Sequence, residues 1–122
     1  MNFTPILILA AVVAVMIMIK KATQISKKDA VEFLKNGAWV IDVRSPWEFS
    51  SGHLDRAINI PLDDIETAVP KRVTDKNQVL LLHCASGMRS GVAKVRLKSM
   101  GYKGVFNLGS YGRAERLLSR QN

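Results

Sequence analysis

The stretch Val79-Leu80-Leu81-Leu82-His83-Cys84-Ala85-Ser86-Gly87-Met88-Arg89-Ser90 joins the most apolar short run after residue 20 to a glycine-containing loop and then to a helical pattern. Val79–Leu82 has no polar face, as expected for a central strand buried on both sides. The pattern Ser90–Met100 reads as a helix that stops at Gly101. A strand, a short loop and a helix in this order predict an anion-binding cradle. Loop N–H groups point inward and the helix N-terminus adds partial positive charge. The same features stabilise a thiolate, so Cys84 is the candidate nucleophile, with the Arg89 charge close by. A lone cysteine is ordinarily an inert core residue. Its place at the mouth of the central strand argues for chemistry instead.

On either side of this stretch, strand and helix signals alternate. Ser26 followed by Asp29 forms a variant helix N-cap, and Asp29–Lys35 puts Ala30, Val31, Phe33 and Leu34 on a buried face before Gly37. Trp39–Val43 reads as a strand, Ser45-Pro46 as a turn opening a short helix through Phe49, and Ala57–Ile60 as a second strand closed by Pro61. Leu62–Val69 reads as one or two helical turns ended by Pro70, Val105–Leu108 as the last strand, and Tyr111–Arg120 as a last helix with Ala114, Leu117 and Leu118 inward. The alternation predicts an α/β domain with a largely parallel sheet. Ligands of such sheets gather beyond the carboxyl ends of the strands, which is where Cys84 falls.

Three segments occur in order: Val40-Ile41-Asp42-Val43-Arg44-Ser45-Pro46-Trp47-Glu48-Phe49, then Gly52-His53-Leu54 with Ala57-Ile58-Asn59-Ile60-Pro61, then Cys84–Arg89. Together they resemble the successive motifs of rhodanese-like domains, over roughly residues 24–120. The resemblance implies a parallel sheet flanked by helices on both faces. It also implies that Cys84 takes the outer sulfur of thiosulfate or a related donor as a persulfide, and that cyanide, a protein thiol or a reductant removes it. The residues fit that chemistry: the Cys84 thiolate attacks, and Ala85, Ser86, Gly87, Met88 and Arg89 form the substrate-binding loop of a two-step cycle that needs no metal or organic cofactor. Four residues separate Cys84 from Arg89. The related cell-cycle dual-specificity phosphatases have one more, a cradle sized for phosphate, so the loop predicts sulfur chemistry and leaves phosphatase as the weaker alternative. A membrane-tethered persulfide carrier or regulatory binding module is the alternative from another class.

Other side chains are assigned quieter roles. His83, next to Cys84 on a strand, is expected on the opposite face, and His53 in a structural hydrogen bond. One cysteine and two dispersed histidines do not make a zinc site. Asp42 with Arg44, and likewise Glu48, are expected to stabilise the fold by charge pairing, and Trp39 and Trp47 to sit in the core. Arg56 and Gly109-Ser110 depart from the family pattern, where glycine commonly precedes Ala57 and a glycine pair stands near the last helix.

The first nineteen residues carry no charged side chain, and Ile6–Ile19 contains only Ala, Val, Ile, Leu and Met. Phe3–Ile19 as a helix is about 25 Å long, within the usual range for a membrane span. The organisation expected is a transmembrane anchor at 1–19, a linker at 20–23 and a rhodanese-like domain at 24–122. Lys20, Lys21, Lys27 and Lys28 follow the apolar run, so the positive-inside rule puts the domain on the cytoplasmic face of the inner membrane in a single-pass arrangement. The rival is a signal peptide over residues 1–22 with a periplasmic or secreted domain, and its usual charge order is reversed here. The net charge is +8, and residues 84–122 hold eight Lys or Arg against Glu115 alone. No aromatic interleaving accompanies them, so the basic surface suits anionic lipid or a small anionic substrate and not nucleic acid. The apolar run has no glycine-based helix-packing motif to argue for a dimer.

Overall fold

The first helix, α1 (Thr4–Thr23), mixes the strong helix formers Ala, Leu, Met and Lys with β-branched Ile, Val and Thr, and has no glycine and only Pro5, in its first turn. The computed structural model describes residues 1–119, so Arg120, expected to end the last helix, lies outside the described residues. Twenty residues make about 30 Å of helix. An 18-residue stretch of it has a mean hydropathy of 2.3, and none of its residues is buried against the rest of the described chain. Residues 20–23, expected as a linker, form the last turn of α1. Lys20 and Lys21 complement the negative end of the helix dipole there, and Thr23 Oγ1 donates to the Lys20 carbonyl at 2.9 Å.

Ile25 N–H donates to Asn107 O, which ties the chain to the sheet one residue after Gln24. Helix α2 (Lys27–Lys35) is capped by Ser26, whose hydroxyl accepts from Asp29 N–H at 3.2 Å. Strand β1 (Trp39–Asp42) follows, then α3 (Pro46–Ser51), where Ser45 and Glu48 form a reciprocal capping box. Strand β2 (Ala57–Asn59) leads to a 3-10 turn (Leu62–Asp64) and α4 (Ile65–Arg72). Pro70 does not end α4; it lies inside it. Proline forfeits only the hydrogen bond to Glu66 O in so short a helix, and the buried Ile65, Val69 and Val73 hold the segment down at helical spacing.

Strand β3 (Leu80–His83) is buried along its whole length. Helix α5 (Met88–Ser99), strand β4 (Val105–Gly109) and helix α6 (Tyr111–Ser119) complete the fold. The sheet has the order β2-β1-β3-β4 with every pair parallel. On one face Ile41, Val43, Leu80, Leu82 and Cys84 pack with Ile65 and Val69 of α4 and Ala93 and Leu97 of α5. On the other, Val40, Leu81 and Leu108 pack with Ala30 and Leu34 of α2 and Ala114 and Leu117 of α6. Helices therefore cover both faces of a parallel sheet, and the central strand is apolar on both sides for that reason.

Candidate active site

β3 brings Cys84 to the carboxyl end of the sheet, where its side chain is fully buried. Strand alternation places it on the α4/α5 face, and turns His83 to the other. The His83 ring stands edge-on to Tyr111 of α6, with 5.7 Å between ring centroids.

The chain turns sharply after Cys84. Gly87 sits at φ +97°, and a Cβ there would lie 3.2 Å from the Gly109 backbone. That left-handed residue ends the loop and starts α5 at Met88, two residues earlier than the helical pattern at Ser90 predicts. Met88 and Arg89 are consequently first-turn helical residues, while Ala85 and Ser86 are the exposed part of the loop. The loop is pinned from behind: Cys84 N–H donates to Gly109 O at 3.3 Å and Tyr111 N–H to Ala85 O at 3.2 Å.

The turn aims Gly87 N–H at Cys84 Sγ, 3.0 Å away, and brings Ser90 Oγ to 3.5 Å from it. Burial pushes the Cys84 thiol up. Hydrogen bonding from the Ser90 hydroxyl and from the N–H groups of Ser90, Gly87 and Ser86 outweighs burial and leaves the thiol below its ordinary value. Ser90 Oγ also lies 2.7 Å from Asn107 Oδ1. Asn107 is buried on β4, donates to Gly87 O at 3.0 Å and accepts from Gly109 N–H at 2.9 Å. One amide thus ties together the loop glycine, the hydroxyl beside the sulfur and the glycine behind the loop.

Arg89 does not stand over the sulfur as a free charge. Its guanidinium forks onto Glu48, with Nη1–Oε1 at 2.7 Å and Nη2–Oε2 at 2.9 Å. The hydrogen bonds from Arg89, followed by those from Ser45, hold the Glu48 carboxyl down to about 2. Glu48, expected only to stabilise the fold, therefore links α3 to the first turn of α5. Asp42 and Arg44 pair as expected. Arg44 Nη2 reaches Asp42 Oδ2 and Gly52 O, both at 2.7 Å, and the guanidinium lies 4.8 Å from the centre of the Tyr111 ring. His53 Nδ1 lies 2.9 Å from Phe49 O, the structural bond expected of it. Trp39 packs against the core, whereas Trp47 is 77% exposed: α3 is only six residues long and Trp47 faces outward from it. Arg56, where the family pattern has glycine, caps the end of α2 by donating to Leu34 O and Ala38 O. Among the described residues no group of three or more His, Cys, Asp or Glu is placed to hold a metal.

The residues that sequence reasoning passed over were Ser90, Asn107 and Gln24. Ser90 shares the buried spacing of Ala93 and Leu97 on α5, and Asn107 is the one polar residue inside an apolar strand. A polar side chain at an inward position was the available signal for both. Gln24 had none; only the fold brings its carboxamide beside Gly87 and Gly109.

A family model described as the rhodanese-like domain matches residues 26–112. The chain belongs to the rhodanese-like domain family. Among its relatives, thiosulfate sulfurtransferase PspE of Escherichia coli strain K12 is 42% identical over 69 residues, 57% of this chain and 66% of PspE. The tRNA uridine(34) hydroxylase of Buchnera aphidicola is 29% identical over 92 residues, 70% of this chain but only 29% of that protein. The chain thus spans just under two thirds of one curated relative and less than a third of the other. Of solved structures, a rhodanese with anions from E. coli is similar at 38% identity and a TM-score of 0.61, over 63% of this chain and 91% of the other. The human single-domain sulfurtransferase TSTD1 is similar at 26% identity and a TM-score of 0.65, over 77% of this chain and 96% of the other. The rhodanese-like fold and family membership account for the parallel sheet and for the position of the cysteine loop at its carboxyl edge.

Proposed function

We propose that this rhodanese-like chain is a sulfurtransferase that carries sulfane sulfur on Cys84. The observation that carries this reading is the setting of Sγ: Gly87 N–H is aimed at it from 3.0 Å, Ser90 Oγ lies beside it, and its pKa is lowered despite full burial. The Cys84 thiolate attacks the outer sulfur of thiosulfate or a similar donor. The S–S bond of the donor breaks and sulfite leaves with the electron pair. The resulting persulfide anion stays in the cradle, where Gly87 N–H, the other loop N–H groups and the start of α5 offset its charge. A thiophilic acceptor, cyanide or a thiolate, then attacks the outer sulfur and Cys84 leaves as thiolate. Ala85, Ser86, Gly87, Met88 and Arg89 form the substrate-binding loop, and Glu48 holds Arg89 in place from across the mouth.

The test mixes the purified chain, and its Cys84→Ala variant, with thiosulfate, weighs each intact, then adds cyanide and follows thiocyanate. A gain of one sulfur atom, its loss to cyanide with turnover, and neither event in the variant support the enzyme. Sulfur gain without turnover makes the chain a persulfide carrier. No gain from thiosulfate or any other sulfane donor overturns both.

The length, hydropathy and lack of burial of α1 support a single-pass anchor, and Lys20 and Lys21 at its end support a domain on the cytoplasmic face. Protease protection checks the orientation. A domain digested from the outside of intact cells refutes it, and release of the domain by signal cleavage would assign residues 1–22 to a signal peptide.

A further inference from the structure

Beyond α1, in residues 24–119, the exposed large apolar side chains are Trp47, Met88, Val92 and Val95. Three of them lie on α5 at steps of four and three, so they form one outward stripe opposite the buried Ser90, Ala93 and Leu97. Met88 begins the stripe next to Gly87, and Trp47 directly precedes Glu48, whose carboxylate holds Arg89, the residue after Met88. Neither thiosulfate nor cyanide has a use for apolar surface of this extent.

Cations flank the stripe on both sides, but unequally. Arg89 and Arg96 on one flank are matched by Glu48 at 2.7 Å and Glu66 at 3.7 Å. On the other flank, Lys94 and Lys98 have no carboxylate within salt-bridge distance among the described residues. That flank is the one beside α1: Lys94 Nζ donates to Thr23 O at 3.4 Å, and Lys20 and Lys21 lie in the same last turn. No free linker intervenes. Gln24 follows Thr23 directly, bridges to Asn107 of β4, and sets its carboxamide against the Cys84 loop, 3.3 Å from a Cβ built on Gly87.

We propose that the α5 stripe and Trp47 dock on the headgroup layer of an anionic bilayer, with the rim of the sulfur site at the membrane surface. This rests on the reading of α1 as a membrane anchor. An anchor joined to the domain without slack holds it against the bilayer. Unmatched lysines on the flank nearest the anchor meet anionic headgroups with their stems along the apolar boundary. A tryptophan beside valine and methionine is the composition that settles at that boundary. A protein partner would also cover the stripe, but would not account for the unmatched charge lying on the anchor's side.

The experiment uses the full chain with Trp39→Phe, which leaves Trp47 as the only tryptophan, reconstituted in vesicles containing brominated lipids. Vesicles of phosphatidylcholine alone are compared with phosphatidylcholine mixed with phosphatidylglycerol. Flotation after alkaline extraction reports the anchor, and bromine quenching of Trp47 reports docking. The expected result is flotation in both lipids, with strong quenching only where phosphatidylglycerol is present. Lys94→Gln with Lys98→Gln should lower the docked-to-free ratio roughly 20- to 30-fold, at about 1 kcal/mol per lysine. Val92→Glu with Val95→Glu should abolish quenching while persulfide formation on Cys84 is kept. Flotation without quenching overturns the docking and spares the anchor. Quenching that survives the two glutamates overturns the assigned stripe. A chain that fails to float overturns the anchor and the docking together.

Discussion

Glu48 and Arg89, 41 residues apart, meet in a two-pronged ion pair of 2.7 and 2.9 Å that joins α3 to the first turn of α5. Glu48 Oε1 is also shared with Ser45, whose N–H donates to it at 3.1 Å. One carboxylate therefore caps one helix and steadies the loop that opens the next.

That sharing predicts an acid response. The Glu48 carboxyl is held down to about 2 in the folded state from an ordinary value of 4.5. The stabilisation is fully present above about pH 4.5 and is lost as pH falls toward 2. Both partners are about a third exposed, so the pair is worth no more than about 1 kcal/mol. Glu48→Gln should unfold at lower denaturant than the wild type at neutral pH, and the gap should close as the pH approaches 2. A gap independent of pH would refute the assignment.

Ser90 is expected to tune the nucleophile. Its hydroxyl has a single hydrogen and two acceptors, Asn107 Oδ1 at 2.7 Å and Cys84 Sγ at 3.5 Å. Ionisation of Cys84 draws that hydrogen toward sulfur. Ser90→Ala should raise the thiol pKa and slow alkylation of Cys84 at neutral pH about fivefold, from loss of about 1 kcal/mol of hydrogen bonding. Thiolate absorbance followed against pH measures the shift. An unmoved titration would leave the backbone N–H groups as the whole cause.

Asn107 serves three partners at once, so its loss should be felt in stability before chemistry. Asn107→Leu takes the side-chain acceptor from Gly109 N–H and one of two donors from Gly87 O, which keeps Gly91 N–H at 3.1 Å, and should cost about 1–3 kcal/mol. Urea unfolding monitored by circular dichroism gives the value.

Gly109 sits at φ +97° with a prospective Cβ 2.7 Å from Gln24 Nε2. Gly109→Ala should destabilise by about 1–2 kcal/mol from the left-handed backbone alone, with the Gln24 clash added. Adding Gln24→Ala should recover the clash and not the backbone strain, so the double variant should fall between the single variant and the wild type. Full recovery would show that the backbone conformation is costless here.

His83 predicts a second pH effect, of different origin. It is fully buried, its Nε2 has no hydrogen-bond partner among the described residues, and Asp42 Oδ2 lies 3.7 Å away. Burial pushes its pKa below the ordinary 6.5, against the opposing pull of Asp42. The unfolded chain then binds the proton more readily, so stability is greatest above pH 6.5 and falls as the pH drops below it. His83→Gln should remove that slope in unfolding free energy. Persistence of the slope would assign it to another group.

Much of this protein was legible in local sequence because the signals are local. The apolar run into Cys84, the Ser26 cap, the Ser45-Pro46 turn that opens a short helix and the three motifs are each confined to a short window, and each appears in the structure close to where it was expected. Boundaries moved where a backbone angle or a distant contact intervened. Gly87 at φ +97° starts α5 two residues early, and buried Ile65, Val69 and Val73 carry α4 through Pro70. The opposite faces of His83 and Cys84 follow from strand periodicity alone.

By itself the sequence determined the α/β alternation, the helical potential of the first twenty-odd residues and the placing of a lone cysteine between a buried strand and a helix. Those properties depend on propensity and periodicity over short windows. Only the tertiary structure decided that Arg89 is held by Glu48, that Asn107 braces Ser90 and Gly87, and that Gln24 packs against the cysteine loop. The strand order β2-β1-β3-β4 puts β4 beside β3 and residue 24 beside β4. Such adjacency arises from the crossovers of a parallel sheet, which bring together residues that no local window contains.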